Sequence, residues 1–471
     1  MNLTNKTIKR MVVIGGGDAG ARFINTIKRS SLNSQFVFIG IFDDNRKKIG
    51  KKIEDVEVLD SILNIKKYSN MFDEIVIALP SSSQKRFNDI YNILLKTDKK
   101  ILTIPSLKNI LVKPESITSV RDINIKDLIN RKEMPINYQN ITNSIKDKTI
   151  LVTGGAGSIG SVILELCLNG EAKKVVCIDN SEYNTYKLTK KISDERLFYQ
   201  TADIKDKRLM DIYFNKYKPD IVFHAAALKH VNLQENDIKN CLLTNFFGTK
   251  NIIQLSKKYD IKDFVLISTD KAVEPSNNMG LSKRLAELLV LNNSQLSKTN
   301  MSIVRFGNVI GSSGSVLNLF SRLIKDRKDI IITNPKVARF FMSIEEACYL
   351  VLQSLTIRDN NKQIFMIDMG EEILIKDIAE TLIKLNNLKP NEDIKIKFGK
   401  LKKGEKISEK LNYTFEKPIN TNIDKLIYLD TNIDIEDFKN FQESLEKIIY
   451  KNNIDDKKIK LFINEKLINF L

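Results

Sequence analysis

A strand, a glycine-rich turn and a helix follow one another directly from Thr149, and they constrain the fold more than any other stretch. Thr149-Ile150-Leu151-Val152 is an apolar run of strand length, and Thr153-Gly154-Gly155-Ala156-Gly157-Ser158-Ile159-Gly160 is the turn. Residues 161–168 form an apolar helix that Asn169-Gly170 stops in the manner of a C-cap. The glycines permit a tight turn and close approach of the backbone to a pyrophosphate, whose charge sits at the helix N-terminus. The next strand, residues 174–178, ends in Asp179, nineteen residues after Gly160. An acid there bonds the adenosine ribose hydroxyls and repels a 2′-phosphate, so NAD is favoured over NADP. Gly154, Gly157, Ser158, Ile159, Gly160 and Asp179 are the first cofactor-binding candidates.

The strands that follow carry further candidates at their carboxyl ends, the edge where ligands bind in open α/β sheets. Asp203 and Ile204 follow a short strand and are placed for the adenine edge. Ile221-Val222-Phe223 leads into His224-Ala225-Ala226-Ala227-Leu228-Lys229-His230. Small residues such as Ala225 and Ala226 let a planar ligand lie against the backbone. Lys229 and His230 are expected to face anionic or hydroxylated substrate, whereas His224 reads as a hydrogen-bonded core histidine. Phe264-Val265-Leu266-Ile267 reads as a buried strand that delivers Thr269, Asp270 and Lys271 to the same edge. Pro275 interrupts the chain, and a helix is expected from near Ser276 through Glu287, with Met279 and Lys283 on one face. One carboxyl and two amines converging beside a cofactor are the equipment of proton transfer. Taken alone, Asp270 and Lys271 read better as a turn with an exposed ion pair of little energetic worth. The glycine turn in the same sheet favours the chemical reading.

A second, weaker start lies near the N-terminus. Met11-Val12-Val13-Ile14 precedes Gly15-Gly16-Gly17-Asp18-Ala19-Gly20, a GxGxxG match, and residues 21–29 read as a helix. Strands over residues 36–42 and 74–78 complete a small Rossmann-like unit, and Asp43 occupies the acid position. Such a motif alone is weak evidence for a nucleotide. The expected architecture is α/β, with two Rossmann-like doubly wound parallel-sheet domains. Residues 1–115 form the first, 116–145 a linker, 146–420 the catalytic domain with a small C-terminal substrate-binding lobe, and 421–471 a helical extension.

Composition closes off other classes. No apolar run approaches the roughly 18 residues that span a bilayer, and MNLTNKTIKR lacks a signal-peptide apolar region, so a cytoplasmic protein is expected. Four isolated cysteines and two histidines make a Cys/His metal site improbable. The net charge of +17 is spread along the chain without a basic block, which argues against nucleic acid and for anionic substrates. Weak peripheral contact with an anionic membrane surface is compatible with that charge.

Taken in order, TGGAGSIGS, HAAALKHV, STDKAVEPSNNMGLSKR, VRFGNVIGSSGSV and KKGEK resemble the extended short-chain dehydrogenase/reductase superfamily. More narrowly they resemble the large UDP-N-acetylglucosamine 4,6-dehydratases of bacterial polysaccharide and bacillosamine biosynthesis, the CapD-like proteins. The resemblance covers about residues 8–420, including RDINIKDLINR in the linker. It implies NAD(P), a UDP-linked hexosamine, and oxidation at C4, loss of water across C5 and C6, and reduction at C6. It implies Thr269, Asp270 and Lys271 as the catalytic triplet, with Asp270 the acid at the C6 hydroxyl and Lys271 the base at C5. Lys283 matches the lysine that bonds the nicotinamide ribose. Met279 stands where most relatives carry tyrosine, as in the large dehydratases. Asn308, Ser315, Thr333, Arg339 and Glu405 match positions that hold the nucleotide sugar, Arg339 being the expected diphosphate partner. A homo-oligomer is also expected. The alternatives are a UDP-hexosamine 4-epimerase on the same scaffold and a nucleotide-sensing regulatory protein without turnover.

Overall fold

The computed structural model describes residues 8–30, 36–104, 121–123, 134, 136–294, 297–357, 363–386, 388–431, 433, 435–451, 455–467 and 470. It divides into two compact units. One comprises residues 1–132, 323–330 and 377–396, and the other comprises residues 133–322, 331–376 and 397–471.

The first unit is built on a seven-stranded sheet. Lys9–Ile14 lies at its centre, parallel to Phe36–Phe42 on one side and to Glu74–Ile77 on the other. The helix Asp18–Arg29 starts three residues earlier than residues 21–29 suggest, because the last GxGxxG positions already form its first turn. Gly20 must lack a side chain, since a Cβ there would lie 2.0 Å from the Gly15 carbonyl oxygen. Of the linker stretch RDINIKDLINR, Arg121–Asp122 pairs antiparallel with Lys100–Thr103, while residues 124–131 lie outside the described residues.

The second unit carries a nine-stranded sheet. Seven strands are parallel, in the spatial order Leu197–Thr201, Lys174–Asp179, Thr149–Thr153, Ile221–His224, Asp263–Thr269, Asn300–Phe306 and Ile364–Ile367. Near-continuous apolar runs such as Phe264–Ile267 suit a sheet covered on both faces. The strand order turns back after Thr149–Thr153, so the crevice between that strand and Ile221–His224 is the topological switch point.

Two boundaries differ from the sequence-based expectation. Residues 421–471 are not solely helical, because Leu426–Asp430 pairs antiparallel with Ile364–Ile367 and carries Lys417–Asn420 on its outer edge. Leu426 and Tyr428 bury their side chains in the core beside Phe365, which gives the strand its register. Helices Phe438–Ile449 and Asp456–Leu467 then cover a second core with Phe438, Phe441, Ile459 and Ile463. The polar end of the expected linker also folds. Tyr138–Ile145 is a helix capped by the Asn137 side chain, and Ile141 and Ile145 bury one face in the second unit. No helix among the described residues is long and apolar enough to cross a membrane.

Candidate active site

The glycine turn is held by its own backbone. Gly155 donates to the Ile178 carbonyl at 3.1 Å and Gly157 to that of Gly154 at 3.1 Å. Gly154 has φ +67°, and a Cβ there would meet the Ala226 nitrogen at 2.6 Å. One on Gly160 would lie 2.2 Å from the Gly154 oxygen. Only glycine fits either position. The helix Ser158–Asn169 begins directly after Gly157, leaving its first N–H groups to face the turn.

Asp179 closes the cradle. Its Oδ2 accepts from the Ala156 N–H at 3.0 Å and its Oδ1 from Ser181 at 2.9 Å. Burial pushes this carboxyl above the usual range, against those two hydrogen bonds. The first unit repeats the arrangement, with Asp43 Oδ2 accepting from Gly16 N–H at 2.8 Å. Asp203 lies beyond the next strand, but its Oδ1 accepts from the Lys205 N–H at 2.9 Å, so the carboxylate closes a local turn. Ile204 is buried against Gly248, where a Cβ would lie 2.6 Å from its Cδ1. Ala225 donates to Thr153 at 3.0 Å, keeping the alanine stretch beside the turn. These features fit a dinucleotide: a side-chain-free cradle, a helix N-terminus and a buried acid.

The strand Asp263–Thr269 delivers the catalytic candidates as expected, and they touch. Thr269 Oγ1 donates to Asp270 Oδ1 at 2.8 Å, and Lys271 Nζ donates to the same oxygen at 2.9 Å. Lys271 Nζ also lies 3.3 Å from Asn308 Oδ1. Asp270 is fully buried, and its Oδ2 has no hydrogen-bond partner. Buried carboxylate oxygens without a partner are uncommon in native structures.

The helix that follows spans Asn278–Ser294, starting later and ending later than residues 276–287. Asn277 caps it through a 2.8 Å bond from the Gly280 N–H, and Leu288, Leu289, Val290 and Leu291 extend its buried surface. Gly280 is required by proximity, since a Cβ there would meet the Lys271 carbonyl oxygen at 2.1 Å. Met279 and Lys283 are both buried on this helix. Lys283 Nζ donates to the Ile267 carbonyl at 2.5 Å, and burial pulls its ammonium down to about 8. His224 is the core histidine expected, with ring nitrogens 2.6 Å from Thr153 Oγ1 and 2.9 Å from Thr249 Oγ1. Burial and then the charge of Lys283 hold it neutral, its pKa lowered to about 3.

The remaining candidates gather in two groups. Ser313 N–H donates to Ser158 Oγ at 3.0 Å, which brings the loop of Gly311, Gly314 and Ser315 to the glycine turn. The His230 ring packs against Gly314, and Ser315 Oγ accepts from the Asn318 N–H at 3.4 Å. Burial lowers the pKa of Lys229 beside it. Thr333 Oγ1 donates to Glu405 Oε1 at 2.9 Å, with Arg339 Nη2 at 3.9 Å from the same oxygen. Arg339 differs from the open cation expected for a diphosphate. Its Nη atoms donate to the carbonyls of Ala338 at 2.6 Å, Ile407 at 3.0 Å and Lys406 at 2.8 Å, so it clasps the loop after Gly404.

Sequence reading missed a buried ion cluster behind Asp270. Arg305 bonds Glu287 twice at 2.7 Å, and Glu416 at 2.7 and 3.0 Å. Arg284 Nη1 reaches Glu287 Oε2 at 3.2 Å and lies over the Tyr413 ring. Burial favours a neutral Glu287, but Arg305 outweighs it and holds the carboxyl below its usual range. Ser268 Oγ donates to Glu287 at 2.6 Å and Tyr413 OH to the Ala272 carbonyl at 3.0 Å, so the cluster braces both sides of the Thr269–Lys271 turn. Glu409 was also missed, although it lies four residues beyond Glu405 of the KKGEK motif. A surface cavity of about 380 Å³ lined by Lys205, Phe247, Lys250 and Tyr450 contains none of the candidates.

A seven-strand parallel run, a glycine cradle and an Asp–Lys pair at the next strand ends define an extended short-chain dehydrogenase/reductase of the CapD-like kind. The chain belongs to the polysaccharide biosynthesis protein family, whose model matches residues 150–431, and residues 2–105 match a CoA-binding domain model. It is 33% identical over 458 residues to the capsular polysaccharide biosynthesis protein CapD of Staphylococcus aureus, covering 94% of this chain and 76% of that protein. It is 31% identical over 271 residues to the inverting UDP-N-acetylglucosamine 4,6-dehydratase of Campylobacter jejuni, covering 56% of this chain and 76% of the other. A UDP-glucose 4-epimerase of Rickettsia canadensis is 33% identical over 277 residues, with 56% and 77% covered. The solved structure of Pen from Bacillus thuringiensis superposes with a TM-score of 0.56 at 33% identity, covering 61% of this chain and 90% of that one.

Proposed function

We propose that this chain dehydrates UDP-N-acetylglucosamine to a UDP-2-acetamido-2,6-dideoxy-4-keto-hexose, with NAD held by the Gly154–Gly160 turn and Asp179. The observation that carries this reading is the Asp270–Lys271 pair at 2.9 Å beside a helix whose superfamily tyrosine position is Met279. When bound, NAD supplies the oxidation at C4 and the reduction at C6. Lys283, buried on the facing helix, orients the nicotinamide ribose.

The proton chemistry belongs to the pair. Asp270 carboxylate and Lys271 ammonium carry one labile proton between them. Its transfer from Nζ to the carboxylate yields an amine and a carboxylic acid, the base and acid that elimination requires. Lys271 then takes the C5 proton, which the C4 ketone has acidified, and Asp270 gives its proton to the departing C6 hydroxyl. The step leaves Lys271 as ammonium and Asp270 as carboxylate; the ammonium returns its proton to C5 as C6 is reduced, and the C4 hydroxyl proton, taken up by the pair when C4 is oxidised, replaces the one it gives up. Asn308 holds the Lys271 amine, and Thr269 holds Asp270 Oδ1.

Epimerisation at C4 is the second reading, motivated by the match to UDP-glucose 4-epimerases. It needs no proton transfer at C5 and no acid at C6, the two tasks for which an adjacent acid and base are suited. Incubation with UDP-N-acetylglucosamine and mass spectrometry of the nucleotide sugars separates the two. Product lighter by one water supports dehydration, and an isomer of unchanged mass establishes the epimerase.

A further inference from the structure

We infer that Glu409 is a further residue of the active site, whose Oε2 receives a hydroxyl of the substrate's hexose alongside Asp270 and Lys271. This rests on the nucleotide-sugar reading above.

Glu409 is 6% exposed, and its Oε2 is buried without a hydrogen-bond partner. The neighbouring cations stand too far off to satisfy it: Lys406 Nζ is 3.8 Å from Oε2, and Arg339 Nε is 4.0 Å from Oε1. Arg339 cannot turn toward it without releasing the three carbonyls it clasps. Lys406 Nζ is likewise engaged, donating to the Val273 carbonyl at 3.0 Å.

Burying a carboxylate oxygen with no donor is costly, and native structures rarely tolerate it without a purpose. Asp270 Oδ2 is another such oxygen, and Lys406, whose Nζ is 3.8 Å from Glu409 Oε2, reaches the carbonyl of Val273, three residues after Asp270. The charges of Asp270 and Glu409 interact: burial raises the Glu409 carboxyl, the Lys271 ammonium opposes that, and Asp270 adds to it. The backbone N–H of Glu409 donates to Glu372 Oε1 at 3.1 Å, so the residue is fixed at its backbone while Oε2 receives no hydrogen bond. A tethered backbone carrying a buried acceptor without a donor is the arrangement expected of a ligand contact. The matching donor is a sugar hydroxyl, because the nucleotide's phosphates are anionic and would be repelled.

The test separates the hexose from the nucleotide. UDP and UDP-N-acetylglucosamine are titrated against the NAD-loaded protein and against Glu409→Gln and Glu409→Leu, with melting temperature and NAD content as controls of folding. Hydrogen bonds to a charged group are typically worth enough to change affinity about 10- to 100-fold. UDP-N-acetylglucosamine affinity is expected to fall by about that factor in Glu409→Leu and by less in Glu409→Gln, with UDP affinity unchanged within about twofold. Equal affinity of parent and variants for the sugar nucleotide overturns the inference. So does an equal loss for UDP, which would make Glu409 a support for Arg339. Misfolding of Glu409→Leu leaves the milder Glu409→Gln to decide. If the parent binds UDP-N-acetylglucosamine but releases an isomer, dehydration fails while the binding comparison still judges Glu409. A parent that binds no UDP-sugar sinks both.

Discussion

Glu416→Leu is the sharpest perturbation of the buried cluster. Glu416 supplies two of the four bonds to the Arg305 guanidinium, at 2.7 and 3.0 Å, and all four ionised side chains of the cluster are fully inaccessible. Two arginines and two glutamates balance, so removing Glu416 leaves one uncompensated buried cation. Breaking a buried pair in this way costs about 3–5 kcal/mol. Arg284 is the loosely held member, with Nε and Nη2 lacking hydrogen-bond partners. Removing it together with Glu416 restores neutrality around the doubly bonded Arg305–Glu287 pair. Glu416→Leu/Arg284→Met should therefore be about 1–3 kcal/mol more stable than the sum of the two single losses, an interaction of the size seen between coupled neighbours. Urea titration of the NAD-free protein, following the transition of the catalytic unit, gives both numbers. A Glu416→Leu loss below about 1 kcal/mol, or a double variant weaker than the sum of the singles, would refute the balance of charges.

The remaining expectations concern the active site. Asp270→Asn and Lys271→Ala should each lower turnover by about 10²–10⁴-fold while NAD content is kept, as measured by steady-state rates and released nucleotide. Met279→Leu conserves volume and should stay within about tenfold of the parent, since such swaps cost less than about 1.5 kcal/mol; inactivity with intact NAD would assign the sulfur a chemical role. Denaturing the purified protein should release NAD, and recovery of NADP alone would contradict the argument from Asp179. Lys283 has its folded pKa lowered to about 8 from 10.5, so between those values the unfolded chain holds a proton that the folded chain lacks. Stability contributed by this group therefore rises with pH across that window and is flat outside it. Lys283→Met should lack this rise, so the stability of the parent relative to the variant should increase with pH over 8–10.5, and a pH-independent difference would refute it.

The glycine turn was legible because its residues are dictated locally: Gly160 sits where any Cβ would strike the Gly154 oxygen. The Thr269–Lys271 stretch was legible for a similar reason, since an apolar run followed by polar residues announces a strand end. Length was harder to read. The helix at Asn278 begins where the Asn277 side chain caps it, and its last turns are fixed by burial of Leu288–Leu291, a tertiary fact. Ile141 and Ile145 stand four apart in a polar stretch, a helical signal too short to outweigh the surrounding asparagines. Glu409 and Glu416 look like any other acids in a charged segment. Only their distant partners distinguish them, and no local pattern encodes a partner. Arg339 was recognised by type, but its carbonyl clasp depends on a loop more than sixty residues away.

The antiparallel return of the C-terminal strand has a consequence for how the molecule is made. Arg305 finds Glu416 only 111 residues later in the chain, and Ile364–Ile367 gains its outer neighbour only when Leu426–Asp430 exists. A growing polypeptide that stops at residue 400 thus carries the glycine turn and the Asp270–Lys271 pair without Glu409, Tyr413 or Glu416. The first unit waits too, because residues 377–396 belong to it. At about 5–20 residues per second on the ribosome, this leaves seconds in which a buried arginine has half its partners and a sheet edge stays open. Such an interval is the vulnerable moment for a sheet protein, and a holding chaperone would have most to do there.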